Sequence, residues 1–144
     1  MQTEWVILAD HAEVVNGKLY LMGGGWETLT LNNPDMTHSF GLAVAFSIPW
    51  NETNQPHNVE IMFTDDDSTE TLAKVEATLE VGRPPGVPRG QSQLSQMAIN
   101  MGMKFKKWGG HVVIVTIEGV EPKRFPFRIE KGNALAVGNP FDRE

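Results

Sequence analysis

An all-β fold is predicted, a single antiparallel β-sandwich of about eight strands, immunoglobulin-like or jelly-roll-like. Three observations predict it. Apolar residues alternate with a period of two in stretch after stretch, clusters of Gly, Pro, Asn and Asp separate those stretches, and no segment carries an uncontested helical repeat. At 144 residues the chain has the length of one domain with one core, and the expected division is a sandwich over 1–130 followed by a C-terminal tail or docking arm over 131–144.

The chain opens on a hairpin. In EWVILADHAEVVNGKLYLMGGGW, from Glu4 to Trp26, apolar residues flank Asn16 and Gly17, a dipeptide that takes the positive backbone angles a type I′ turn demands. Gly23, Gly24 and Gly25 lack the Lys and Ser or Thr that complete a phosphate loop, so they mark a kink or bulge from which the chain resumes at Trp26. Phe40 to Ile48 places Phe40, Leu42, Val44, Phe46 and Ile48 on one face and the small residues Gly41, Ala43, Ala45 and Ser47 on the other. A face that small is expected to be covered by another segment.

Strands follow at His57 to Thr64, Thr71 to Val81, His111 to Glu118 and Arg124 to Ile129. Leu94 to Trp108 fits both periods, helical through Leu94, Met97, Met101 and Phe105, extended through Met97, Ile99, Met101 and Met103. Asn100 and Gly102 disfavour a helix interior, so a strand is expected. Up-and-down succession would gather Asn16–Gly17, Pro49–Pro56, Gly82–Gln93 and Gly119–Pro122 at one end. The other end would hold 32–38, 65–68 and 104–109.

Composition narrows the function classes. With no cysteine there are no disulfides, thiolate metal sites or cysteine nucleophiles. A net charge of −6 argues against a broad phosphate-binding face, and no apolar run approaches the roughly 20 residues of a membrane span. The start MQTEWVILAD lacks the layout of a secretory signal, so a cytoplasmic location is expected, or a virion if the chain is phage-derived. The histidines are scattered, and no serine nucleophile motif is present; neither enzyme activity nor a cofactor is expected.

The proline-bounded loop IPWNETNQPH offers the best candidate site, Trp50, Asn51 and His57, with Arg83 of the long proline-rich loop at the same end. Trp50 is either an exposed anchor or a plug over the end of the core. Asp65, Asp66 and Asp67 have the composition of a calcium loop, although consecutive carboxylates diverge and would need a second loop. Lys104, Lys106 and Lys107 are alternative neighbours for them. KFKKW, Lys104 to Trp108, is the minimum for base stacking, but on an acidic chain it reads as a protected strand end.

Taken together, EWVILADHAEVVNGKLYLMGGGW, IPWNETNQPH and EVGRPPGVPRG resemble a family of small bacterial proteins defined only as a domain of unknown function, over the chain up to about Ile129. The pieces that carry the resemblance are Asp10, Asn16, Gly17, Gly23 to Trp26, Pro49 to His57 and Pro84 to Gly86. It implies a β-sandwich and a strand at Met97 to Met103, and no activity. The functional expectation is a non-enzymatic interaction or assembly module, with a protein partner or a second copy of itself, as in a subunit of a phage or virus-like particle. A small-ligand or calcium-binding sandwich is the alternative.

Overall fold

Phe40 to Ile48 becomes the middle of a strand that is apolar on both faces, and the rest of the chain is arranged around it. In the computed structural model, which describes residues 1–132, nine strands form two sheets. In chain order they are β1 Gln2–Val15, β2 Lys18–Gly24, β3 Thr28–Leu31, β4 His38–Ile48, β5 Pro56–Asp65, β6 Thr71–Glu80, β7 Gln93–Met103, β8 Gly109–Ile117 and β9 Lys123–Lys131. One sheet has the order β2-β1-β4-β7, the other β3-β9-β8-β5-β6. Among the described residues the only helical element is a 3-10 turn over Trp50–Glu52.

The inner row of β4 meets the other sheet in one apolar cluster: Phe40, Leu42, Val44, Phe46 and Ile48 with Val59, Ile61, Phe63, Val113, Val115, Phe127 and Ile129. Phe40 meets Phe63 across the sheets at 5.5 Å between ring centroids, and Phe63 meets Phe127 of its own sheet at 6.5 Å, both T-shaped. β7 is a strand, paired with β4 from His38↔Met103 to Ile48↔Gln93. Extended geometry puts Met97, Ile99 and Met101 on the core side, a burial a helix there would have to forgo.

Two expectations are corrected. The second sheet is mixed rather than antiparallel throughout, because β3 runs parallel to β9 with Thr28 opposite Arg128 and Leu31 opposite Lys131. The count is nine because the run resuming after the glycines crosses to the other sheet as a separate strand instead of extending the hairpin. Positive φ at Gly23 (60°) and Gly25 (88°) turns the chain out of one sheet toward the other.

The hairpin forms as expected, with φ of 52° at Asn16 and 74° at Gly17, but its turn does not join the cluster of loops at one end. β1 pairs with β4 only as far as Ala9↔Gly41, then rises over the outer face. Ala12 N–H donates to Asn100 Oδ1 of β7 (3.0 Å), Asn100 Nδ2 donates back to the Ala12 carbonyl (2.8 Å), and Gln96 Nε2 donates to the Gly17 carbonyl (3.1 Å). On the face the hairpin crosses, Ala43 and Ala45 are fully buried. The small outer row of β4 is therefore the seat of a further layer, and Gly41 sets how closely that layer approaches: a Cβ there would lie 2.8 Å from Ala12 N and 3.1 Å from His11 C.

Replacing a strand glycine normally gains about 0.5–1 kcal/mol. At Gly41 the sign reverses. Gly41→Val is expected to cost about 1–3 kcal/mol in urea unfolding, since the added atoms overlap backbone that has no free rotamer. A variant at least as stable as the parent would show that the hairpin does not sit on Gly41.

Candidate interaction site

Pro49 fixes an extended entry (φ −62°, ψ 154°), and Trp50–Glu52 then makes one 3-10 turn that the loop holds by its own hydrogen bonds. Thr53 is the buried hub. Its hydroxyl donates to the Trp50 carbonyl (2.7 Å) and accepts from Arg83 Nε (2.6 Å), while Arg83 Nη2 donates to the same carbonyl (2.7 Å). The Arg83 guanidinium also stacks over the Trp50 ring, 4.1 Å from its centroid, a cation–π contact. One arginine thus fastens the β6–β7 loop to the β4–β5 loop.

His57 Nε2 donates to the Glu52 carbonyl (2.7 Å), which assigns that nitrogen its proton and ties the turn to the start of β5. Asn54 N–H donates to the Val81 carbonyl (2.7 Å), and Gln93 Nε2 to the Gly82 carbonyl (2.8 Å). Lys123 Nζ, exposed at the start of β9, donates to the Thr3 carbonyl of β1 (2.6 Å), joining the two sheets. Strand pairing places the β8–β9 loop at this end too, since Val59 at the start of β5 faces Ile117 at the end of β8.

Three of the four residues singled out from sequence, Trp50, His57 and Arg83, meet in this brace, and Asn51 projects beside it as an exposed residue. Trp50 is half-buried with a face covered by Arg83, so it is neither a free anchor nor a core plug. Sequence reasoning missed Thr53, which lies in the same loop between Asn51 and His57. Lys123 carried no sequence signal at all.

The acidic turn lies at the opposite end and is an ion-paired turn. Asp65 is buried; its carboxylate accepts Thr69 N–H (2.7 Å), the Thr69 hydroxyl (2.5 Å), Glu70 N–H (3.2 Å) and Lys107 Nζ (2.8 Å). Lys106 pairs with Glu70 at 2.8 Å. Asp66 and Asp67 are exposed, and among the described residues no group of three or more acids or histidines is arranged to hold a metal. Phe105 is buried in the core, so the KFKKW stretch presents no continuous stacking face.

His111, opposite Asp65 on β8, is fully buried between Phe105 and Phe127, its Nδ1 donating to the Gly109 carbonyl (3.0 Å). A surface concavity of about 470 Å³ lies on the outer face of the second sheet, between Asn58, Glu60, Glu76, Thr78, Thr116 and Glu118.

Fold and site define a class: a two-sheet all-β protein whose one end is a polar platform of braced loops. The chain belongs to a family of unknown function, DUF6941, whose model matches residues 4–130. No curated protein matches it. Similar solved structures include a β-glucosidase from Listeria innocua in complex with gluconolactone, 11% identical with a TM-score of 0.37, covering 72% of this chain and 14% of that one. Another is the Northeast Structural Genomics Consortium target SoR45, 16% identical with a TM-score of 0.28, covering 76% of this chain and 83% of that one. The chain spans only 14% of the length of the glucosidase.

The Lys107 ammonium first, then the Thr69 hydroxyl, hold the Asp65 carboxyl far below the ordinary carboxylate range. A depressed folded value contributes stability above the unfolded value, near 3.9, and that contribution fades as pH falls below it. Denaturation midpoints measured between about pH 7 and about pH 2.5 should therefore fall with acid in the parent, and less steeply in Asp65→Asn, which is already weakened at neutral pH. Identical slopes would contradict the pairing.

Proposed function

We propose that this chain is a non-enzymatic interaction or assembly module built as an immunoglobulin-like β-sandwich. β1-β4-β7 corresponds to strands A-B-E of that fold and β9-β8-β5-β6 to G-F-C-C′, an order that favours this reading over a jelly roll. In that correspondence the β4–β5 and β8–β9 connections are B–C and F–G, loops that immunoglobulin variable domains use for recognition, and the β6–β7 connection leaves C′ at the same end. The observation that carries the proposal is the Arg83–Trp50–Thr53 brace, which joins the β4–β5 and β6–β7 connections into one preorganised surface, so that little ordering is left for a partner to impose.

The partner is a protein, engaged around Asn51, Gln55 and the proline-rich stretch after Arg83, where exposed polar groups surround the half-buried Trp50. A structural subunit of a larger particle, such as a phage or virus-like assembly, suits a rigid module of this kind, working in the cytoplasm or in a virion. A second reading, a domain that binds a small ligand, draws on the polar concavity between Asn58, Thr78, Thr116 and Glu118, where Lys74 already pairs with Glu60 (3.3 Å) and Glu76 (3.1 Å). Calcium at the acidic turn is less favoured, because Lys107 and Thr69 already occupy the Asp65 oxygens.

Affinity capture from the host, with cross-linking to map the contact, tests the main reading. Asn51→Arg leaves the brace intact, since the Asn51 side chain makes none of its bonds, and should reduce recovery of the partner about tenfold. Asp67→Lys, in the exposed acidic turn at the opposite end, should not. Equal recovery with both variants, or cross-links confined to other faces, would refute a binding end here.

A further inference from the structure

We infer that β7 is a self-pairing edge: two copies of this chain join through β7 in antiparallel register, extending β2-β1-β4-β7 into a sheet that runs continuously through both. In its sheet β7 has one neighbour, β4, and among the described residues no other backbone segment hydrogen-bonds to it. Unpaired edges invite strand addition, and proteins protect them with charge, proline or shortness. The other edges here are protected. β6 carries Lys74, Glu76 and Glu80, β2 begins at Lys18 and ends in glycines, and β3 has four residues. β7 has 11 residues, QLSQMAINMGM, with no charge and no proline.

The core beneath this edge is unfinished. Met97, Ile99 and Met101 point inward yet stay only partly buried, as do Leu72, Val75 and Leu79 on β6, the edge of the other sheet. A strand laid beside β7 would cover the first three.

A second β7 fits that place. A two-fold axis requires that each residue tolerate the partner it is given, and an uncharged strand opposes no like charges to itself. With the axis at Ala98, Met97 faces Ile99 and Ser95 faces Met101 of the other copy on the core side. Gln96 faces Asn100 on the outer side, where both amides also hold their own copy's hairpin. Next to the axis apolar therefore meets apolar, with the small Ser95 against Met101 further out, and amide meets amide. This surface is separate from the loop end, so either proposal can fail without the other.

The test uses the full chain, which has no cysteine of its own. Light scattering should give the parent twice the 16.0 kDa of one chain. Ala98→Lys sets two ammonium groups against each other across the axis and should halve that mass while keeping cooperative unfolding. Should that variant fail to fold, Ala98→Cys decides the matter: residues directly opposite lie about 4.5–5.5 Å apart at Cα, within disulfide range, so mild oxidation should give a covalent dimer. Thr78→Cys, more exposed on the charged β6 edge, should not. A parent that stays at 16.0 kDa, or Ala98→Cys cross-linking no faster than Thr78→Cys, overturns the proposal. So does a monomeric parent whose β7 edge is found occupied by a strand from a different protein.

Discussion

Everything in this structure rests on β4 being buried on both faces with side chains of opposite size. Its large row, Phe40 to Ile48, packs the core between the sheets, and its small row, Gly41, Ala43 and Ala45, lets backbone pass directly above. One strand thus serves as floor for one layer and ceiling for another. Because β1 both pairs with β4 and folds over it, the placement of the hairpin follows from the same constraint.

At the two ends different physics holds the loops. The loop end is fixed by hydrogen bonds that saturate backbone carbonyls, three of its donors converging on the oxygen of Trp50. The opposite end is fixed by charge, with Lys107 and Lys106 neutralising Asp65 and Glu70 over the aromatic setting of His111. The brace at the loop end sets one cation, Arg83, on a hydroxyl, a carbonyl and the Trp50 ring rather than on a carboxylate. The charged turn instead commits its best ligand, Asp65, to the fold.

Much of this was legible in the sequence, for reasons that differ from element to element. Period two along Phe40 to Ile48 gave the strand, and the smallness of its second face foretold a covering segment. Asn16–Gly17 gave the turn, because few other dipeptides take two positive φ values readily. The lysines near the acidic turn were legible as its counterions. Periodicity carries no information on where a strand leaves its sheet, so the rise of β1 after Ala9 and the parallel pairing of β3 were not. Thr53 and Lys123 were missed because their roles depend on carbonyls brought together by tertiary pairing, and a carbonyl leaves no mark in a sequence. Arg83 was found at the right end, but its stacking on Trp50 was not foreseen.

Native-state hydrogen exchange resolved along the chain tests the central constraint directly. If β4 lies between two layers, amides 40–48 should exchange only with global unfolding, and amides 11–15 of the overlying hairpin should be protected at an intermediate level, opening before the core does. Exchange of 11–15 at the rate of an unstructured peptide, with 40–48 slow, would contradict it: β4 would then have one covered face, and the hairpin would not be part of the fold.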